Sequence, residues 1–286
     1  MLKVFYHAHC MDGYGAAWAI WKKFGDIDAE YFPIGYETQL NTAGLHGTNV
    51  MAVDFSFKAP VVEHLVKITK SLTIIDHHKT ALQEVENYKA FLRPQDILVF
   101  DMAKSGAVLA WEFAYPGLEV PELLSYIQDR DLWVWKLPQS KEISAWLMSQ
   151  TIAKPSELEP FAAGFSDKRA EYAAIGSALL RANDKFVDKI LLSQVEATLA
   201  GHKVLAVQSP VLMSEAGNEL LKRNPGIDVA LIWYADKDMV KFSLRGNGKV
   251  DVSAIAKKYG GGGHASAAGF ELKTMNALSL LTPMLA

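Results

Sequence analysis

The sequence predicts two α/β domains, the first built around a parallel sheet. One indication is length, since 286 residues exceed what a single hydrophobic core comfortably serves. A second is the recurring order of continuously apolar strands and amphipathic helices, which is typical of a parallel sheet covered on both faces. A third is the change in hydrophobic pattern after Gly201, where alternating, half-exposed strands begin. We therefore expect a parallel-sheet domain with a connecting helix over residues 1–195 and a smaller α/β domain over 201–286.

The elements of the first domain follow in chain order. Residues 2–6 form an apolar strand, and residues 14–23 are predicted to form a helix that Gly25 ends. Residues 49–53 form the next strand, after which Pro60 opens a helix. Beyond it we predict strands over 72–75 and 97–100, helices over 107–113 and 122–128, and a helical stretch over 156–194.

The second domain has a different pattern. Strands are predicted over 203–207 and 229–234, and apolar and polar residues alternate over 240–244 as in a half-exposed strand. A short helix over 252–259, capped by Asp251, then meets four consecutive glycines.

Composition argues against several classes of protein. Half of the residues are apolar and 21% are charged, which is unlike a disordered chain or a small disulfide scaffold. Cys10 is the one cysteine, so no internal disulfide forms and a reducing, cytoplasmic setting is expected. The net charge of -3 gives no general attraction to polyanions, and we expect no binding of long duplex nucleic acid. No stretch approaches about 18 uninterrupted apolar residues, so no membrane contact is expected.

Acidic residues follow the predicted strands. Asp12 lies just after the first strand, Asp54 ends the second, and Asp76 ends the third with His77 and His78 behind it. Because the carboxyl ends of strands in an open parallel sheet line one crevice, these residues are expected to converge there. A lone aspartate at a strand end is more often a helix cap or turn residue, and for Asp54 that alternative stays open.

Such a pocket favours divalent cations. Two carboxylates about 4 Å apart repel by about 4 kcal/mol at an effective dielectric of about 20, and Asp129, after a predicted helix, would add to the repulsion. Oxygen ligands with a few imidazoles suit Mn²⁺ or Mg²⁺ better than a sulfur-based zinc site. Two such ions about 3.5–4 Å apart would activate a water and neutralise a phosphate, so the pattern favours phosphoryl chemistry.

Two motifs resemble one known superfamily. The triplet Asp76-His77-His78 is similar to the one that names the DHH phosphoesterases, and residues 261–270, Gly-Gly-Gly-His-Ala-Ser-Ala-Ala-Gly-Phe, resemble the glycine-rich signature of the DHH-associated domain. The order and spacing of the motifs match, so the resemblance covers essentially the whole chain. The superfamily includes the exonuclease RecJ, nano-RNases, cyclic-dinucleotide phosphodiesterases and, more distantly, manganese pyrophosphatases and exopolyphosphatases.

The resemblance implies a role for each residue of the site. It makes Asp54 the bridge between two metal ions, Mn²⁺ with Mg²⁺ as the other option, and it places His78 on the scissile phosphate. Asp76 would orient the neighbouring histidines. Ser105 opens a helix whose N-terminal amides favour an anion of the substrate. The remaining metal ligands that the resemblance implies are His7, Asp12, His77 and Asp129.

The first motif departs from the family pattern. Where Asp-x-Asp is usual, Cys10-Met11-Asp12 places a thiol at the position of the first acid. Cys10 or His9 can serve as a substitute ligand, and a thiolate with imidazoles would move the preference towards Zn²⁺ or Fe²⁺. The alternative is a small buried cysteine without a ligand role. We expect a weakened first site that is filled when Mn²⁺ is abundant.

The second domain offers candidate substrate ligands. Four glycines in a row are more often simply a flexible turn, but between a helix and a strand they let the amides of Gly261, Gly262 and Gly263 approach an anion. His264 is expected to hydrogen-bond the same group. Arg245, at the end of an alternating strand, is a candidate phosphate ligand, with an ordinary surface arginine as an equal alternative.

Together with these patterns, the resemblance implies a metal-dependent phosphodiesterase that hydrolyses short oligonucleotides or dinucleotides to nucleoside monophosphates. Trp133 and Trp135 could stack a base, although tryptophans so placed more often belong to the core. The alternatives are a phosphoanhydride hydrolase of the exopolyphosphatase or pyrophosphatase type and a nucleotide-binding sensor with a decayed centre. A short nucleotide is the expected partner, and a homodimer stays open.

Overall fold

The structure, a computed structural model, describes residues 1–35, 38–277 and 280. The chain divides into two compact units, Met1–Leu180 and Arg181–Ala286. The border predicted from the sequence lies later, between residues 195 and 201. The last residues of the predicted second domain, 278–279 and 281–286, lie outside the described residues.

The first unit contains a five-stranded sheet in which the described pairings are all parallel. The strands Asn49–Val53 and Ser71–Asp76 are buried over nearly their whole length, as strands covered on both faces must be. This confirms the predicted parallel-sheet α/β class. In the spatial order β2-β1-β3-β4-β5, the strands are β1 (Leu2–His7), β2 (Ala29–Ile34), β3 (Asn49–Val53), β4 (Ser71–Asp76) and β5 (Ile97–Phe100).

Helices cover both faces of this sheet. They are α1 (Met11–Phe24), α2 (Ala59–Ile68), α3 (Lys79–Tyr88), α4 (Gly106–Ala114), α5 (Glu122–Asp131), α6 (Ser140–Met148), α7 (Glu159–Ala163) and α8 (Phe165–Leu191). Val4, Val53 and Ile75 share a core with α1, α4, α5 and α6. Ala52 and Ile74, one residue away from Val53 and Ile75 on their strands, face α2 and α3 instead. All five strands therefore direct their carboxyl ends to one edge of the sheet.

The second unit contains a six-stranded sheet in the order β10-β11-β9-β8-β7-β6. Only the β7–β8 pairing is parallel among those described, so this sheet is mixed. Its elements are β6 (Val195–Leu199), β7 (His202–Gln208), α9 (Met213–Arg223), β8 (Val229–Asp236), β9 (Met239–Gly246), α10 (Val252–Lys258), β10 (Gly262–Gly263) and β11 (Ala267–Lys273). The Asp251 side chain caps α10 by accepting the Ser253 N–H at 3.0 Å, as predicted.

The border between the units falls inside α8 for a packing reason. Val187 and Leu191, in the last turns of that helix, pack with Leu205 of β7 and Ile232 of β8. β6 pairs with β7 and therefore also belongs to the second sheet. Over the described ranges, no helix has both the length and the apolar character needed to cross a membrane.

Candidate metal centre

Three neighbouring strands lead to one cluster of polar side chains. β1 ends at His7, Asp54 follows β3, and His77 follows β4. His77 Nε2 lies 3.1 Å from Asp54 Oδ1, and His7 Nδ1 lies 3.5 Å from Asp54 Oδ2. Asp54 is 1% exposed, and its φ of 53° is a left-handed conformation that a non-glycine residue keeps only under constraint. The structure thus brings these residues together at the carboxyl edge of the sheet.

Asp12 enters the cluster from the first turn of α1. Its Oδ2 lies 3.5 Å from His77 Nε2. Its carboxylate oxygens accept the first two amides of α4, from Gly106 at 2.6 Å and Ala107 at 3.0 Å. A Cβ on Gly106 would lie 2.5 Å from the Asp54 Cβ, so glycine is what lets α4 begin this close to the cluster.

The start of α4 differs from the expectation of a substrate-binding role. Its amides already donate to the Asp12 carboxylate, which is the anion that this helix N-terminus stabilises. Ser105 is fully buried, its Oγ accepts the Val108 N–H as the helix cap, and its own N–H donates to Gln128 Oε1. Ser105 therefore belongs to the frame that holds Asp12.

Asp76 orients the two histidines that follow it. Its Oδ1 accepts the backbone N–H groups of His77 at 2.7 Å and His78 at 3.2 Å and lies 2.7 Å from His78 Nδ1. Its Oδ2 accepts the Ser56 hydroxyl at 2.6 Å. Both oxygens are thus engaged within the protein, and the pKa of Asp76 is lowered because His78 and these hydrogen bonds outweigh the effect of burial.

The acid that α5 contributes is Asp131 and not Asp129. Asp131 Oδ2 lies 3.5 Å from His77 Nε2. The Asp129 carboxylate instead accepts the N–H groups of Lys136 at 3.0 Å and Leu137 at 3.1 Å, which closes the loop after the helix. Residues two apart on a helix do not face the same side, so one of these acids had to point away. The Asp-Arg-Asp run contains both candidate acids, but the sequence does not show which of the two side chains points to the cluster.

Two of the sets of described side chains that could hold a cation include residues from the segment 7–12. His7, Cys10 and Asp54 form one set, and each of them offers a ligand atom within 4.8 Å of the others. His9, the other substitute suggested by the sequence, is exposed and is not part of any such set among the described residues. The second set, with the same spacing, consists of Asp12, His77 and Asp131.

The charges of the cluster are balanced only in part by the protein. Burial, and then repulsion from Asp54 and Asp131, raises the pKa of Asp12 well above its usual value. Burial opposes a charge on His77, but its hydrogen bond and attraction to Asp54 outweigh this and raise the pKa of His77 to about 10. Asp54 Oδ2 and Asp131 Oδ2 are buried without a hydrogen-bond partner in the described structure. Divalent ions, one in each set, would satisfy these two oxygens, so the donor sets fit metal ions.

Comparison with known proteins identifies the family of the second unit and the fold of the whole chain. A family model described as the DHHA1 domain matches residues 201–284. RecJ from Thermus thermophilus, solved in complex with Mn²⁺, aligns over 99% of this chain and 51% of its own with a TM-score of 0.53 and 13% identity. The chain belongs to the DHH superfamily.

Two curated relatives extend the likeness. The uncharacterised protein R106 of Acanthamoeba polyphaga mimivirus is 30% identical over 93% of this chain and 66% of its own length. Oligoribonuclease NrnB of Bacillus subtilis is 30% identical over 68% of this chain and 51% of its own length. This DHH protein thus spans about two thirds of the length of R106 and about half of the length of NrnB.

The glycine-rich motif of the DHHA1 domain is a tight hairpin. β10 pairs with β11, so that Gly262 and Gly263 lie opposite Gly269 and Ala268. A Cβ on Gly261 would lie 2.0 Å from the Gly269 carbonyl oxygen, and Gly263 has a φ of 134°. Close packing therefore requires glycine at these two positions whatever ligand the hairpin binds.

The polar candidates of the DHHA1 domain flank this hairpin in sequence. The His264 N–H donates to the Ala267 carbonyl oxygen at 2.8 Å within the hairpin turn. Arg245, on β9 opposite Ala267, donates to the Ser243 hydroxyl at 2.9 Å and to the Leu244 carbonyl oxygen at 2.8 Å. Substrate contact by either residue stays a prediction.

Trp133 and Trp135 lie outside the buried core. Both are half-buried and both have a φ of 57°. Their rings meet edge to face with centroids 4.9 Å apart, and the Arg130 guanidinium lies 4.8 Å from the Trp133 ring centroid. Asp129, whose backbone oxygen also accepts the Val134 N–H at 2.9 Å, folds this loop immediately after Asp131. The core interpretation of the tryptophans is therefore not what the structure shows.

Proposed function

We propose that the chain is a metal-dependent phosphodiesterase that hydrolyses short oligonucleotides or dinucleotides to nucleoside monophosphates. The observation that carries this proposal is the meeting of acids and imidazoles at the strand ends, with carboxylate oxygens of Asp54 and Asp131 buried and without hydrogen-bond partners in the described structure. Isolated buried carboxylate oxygens are costly unless a cation compensates them. Phosphoryl chemistry uses such cations to neutralise the charge of the phosphate.

The side chains divide into ligands and supports. We assign His7, Asp12, Asp54, His77 and Asp131 as the metal ligands, with Asp54 facing both sets through different oxygens. The amides of α4 fix the Asp12 carboxylate, and supports of this kind keep a ligand in position. A divalent ion held there would polarise a phosphate oxygen and lower the pKa of a water.

His78 is the group we assign to the scissile phosphate. Asp76 Oδ1 lies 2.7 Å from His78 Nδ1 and holds the imidazole in one orientation. The Nε2 atom is the ring nitrogen that we assign to a substrate oxygen. In the DHHA1 domain, Arg245, His264 and the amides of the glycine hairpin remain our candidate phosphate ligands.

Two features support a short nucleotide as substrate. The relative NrnB is described as an oligoribonuclease, and RecJ, a fold neighbour, is described as an exonuclease in a structure that holds manganese. The net charge of -3 gives this chain no general attraction to a long polyanion. Mn²⁺ is therefore the first ion to test and pApA the first substrate.

The test is incubation of the purified chain and Mn²⁺ with pApA, a long single-stranded RNA and a defined polyphosphate, each followed by chromatography. We expect AMP from pApA, slower release from the long strand, and no phosphate from polyphosphate. Cleavage of polyphosphate alone would overturn the proposal in favour of an anhydride hydrolase. Binding of pApA without turnover under any divalent ion would instead indicate a sensor.

A further inference from the structure

One of the two ligand sets contains sulfur. His7, Cys10 and Asp54 present their ligand atoms within 4.8 Å of one another, whereas the set of Asp12, His77 and Asp131 offers only oxygen and nitrogen. Asp54 Oδ1 lies 3.1 Å from His77 and Asp54 Oδ2 lies 3.5 Å from His7. The two sets are therefore adjacent but chemically unequal.

The position of Cys10 is not explained by local structure. Cys10 is the N-cap residue of α1, where a side-chain oxygen would normally accept an amide, yet its side chain makes no capping hydrogen bond. It can form no internal disulfide, since the chain has one cysteine. A Cβ on Gly13 would lie 2.2 Å from the His7 carbonyl oxygen, so glycine lets the start of α1 approach the end of β1. That approach carries the thiol to His7.

A second, independent observation points to a cation at this position. Asp54 is 1% exposed, and its Oδ2, the oxygen that faces His7, is buried without a hydrogen-bond partner in the described structure. An unsatisfied buried carboxylate oxygen is costly, and a cation between Asp54, His7 and Cys10 would compensate it. Cys10 is thus positioned as the third donor around a site that the carboxylate already requires.

We propose that Cys10 is a thiolate metal ligand and that His7, Cys10 and Asp54 select a softer ion, Zn²⁺ or Fe²⁺, beside a pocket for Mn²⁺ or Mg²⁺. Thiolate and imidazole ligands favour the softer ions, while carboxylates favour the harder ones. The thiol proton leaves to solvent as the ion binds. This inference rests on the proposed metal centre and adds that its two halves prefer different metals.

Cobalt spectroscopy tests this inference directly. The metal-free protein is titrated with Co²⁺, and the parent is compared with Cys10→Ser and Cys10→Asp. We expect a near-ultraviolet sulfur-to-cobalt charge-transfer band in the parent and its loss in both variants. Because Cys10 is the one cysteine of the chain, a thiolate band can have no other source. Visible cobalt bands without the charge-transfer band in the parent would overturn the proposal.

Metal analysis after exposure to equal Zn²⁺ and Mn²⁺ gives a second readout. The parent should retain both metals, whereas Cys10→Asp should lose Zn²⁺ and gain Mn²⁺, because the substitution leaves an oxygen set on both sides. Equal metal content in the parent and both variants would show that Cys10 is not a ligand. A parent that binds no divalent ion at all would contradict the proposed metal centre itself, so the two failures are distinguishable. Near-ultraviolet circular dichroism checks that each variant is folded.

Discussion

The strand-end cluster of the first unit and the glycine hairpin of the second are both candidate binding sites. They differ in whether their polar groups already have hydrogen-bond partners within the protein. In the cluster, buried oxygens of Asp54 and Asp131 have no hydrogen-bond partner in the described structure. In the hairpin, the Gly261 N–H donates to the Ala256 carbonyl oxygen and the His264 N–H to that of Ala267. Unsatisfied buried groups indicate a ligand-binding role, whereas satisfied groups are explained first by folding. The cluster is therefore the stronger functional evidence.

The largest expected effect is on turnover at the cluster. Asp54→Asn keeps the shape of the side chain but removes the charge that faces both ligand sets. We expect kcat to fall by about 10³-fold or more, which is several kcal/mol of lost charge stabilisation, while the fold is retained. Initial rates on pApA with saturating Mn²⁺, together with a thermal unfolding curve, measure both quantities. Normal turnover in this variant would contradict the conclusion that the cluster is the functional centre.

The corresponding change in the hairpin should affect stability. Gly261→Ala would place a Cβ 2.0 Å from the Gly269 carbonyl oxygen. We expect the free energy of unfolding to fall by about 1–3 kcal/mol, the usual cost of overpacking. Gly226→Ala is the matched control, because nothing lies within 4 Å of its added Cβ, and it should stay within about 0.5 kcal/mol of the parent. Urea unfolding of the full chain compares them, and equal stabilities would refute the packing explanation.

The two acids at the end of α5 should separate metal binding from folding. Asp131→Asn should weaken Mn²⁺ affinity by about 10- to 100-fold, because it loses a charged ligand of the oxygen set. Asp129→Asn should leave Mn²⁺ affinity near that of the parent and lower the free energy of unfolding by about 1–3 kcal/mol, because the loop amides of Lys136 and Leu137 lose an acceptor. Calorimetric Mn²⁺ titration and urea unfolding measure the pair. The reverse pattern would restore Asp129 as the ligand.

The smallest expected effect concerns the loop beside the cluster. If the half-buried Trp133 stacks a base, Trp133→Ala should raise KM for pApA by about fivefold, near the lower end of base-stacking energies, and leave KM for an abasic dinucleotide unchanged. Val134→Ala in the same loop, at a side chain 43% exposed, is the control and should change neither value. Equal changes for both substrates would mean that Trp133 supports the loop and does not contact a base.

The fold was predictable because burial dictates strand composition. β3, β4 and β5 were predicted within one residue at each end. β3 and β4 are buried over nearly their whole length, and a strand covered on both faces is apolar throughout. The sequence pattern did not predict β2, β6, β10, α3, α6 or α9. β2 carries Pro33 at the edge of its sheet, where proline is tolerated, and α9 has a strongly polar composition with only a narrow buried side. Such elements take their stability from neighbours that a local pattern does not contain.

Residue types and their chain order were enough to indicate the parallel sheet and a second, smaller α/β domain. They also indicated that Asp12, Asp54 and His77 meet, because strand ends in a parallel sheet share one edge. They were not enough to choose Asp131 over Asp129, or to show that the α4 amides serve Asp12. Both outcomes depend on the direction in which a side chain points from its helix and on which hydrogen-bond partner lies nearest to it. Direction and distance arise when separate elements pack together, and no single segment of the chain contains them.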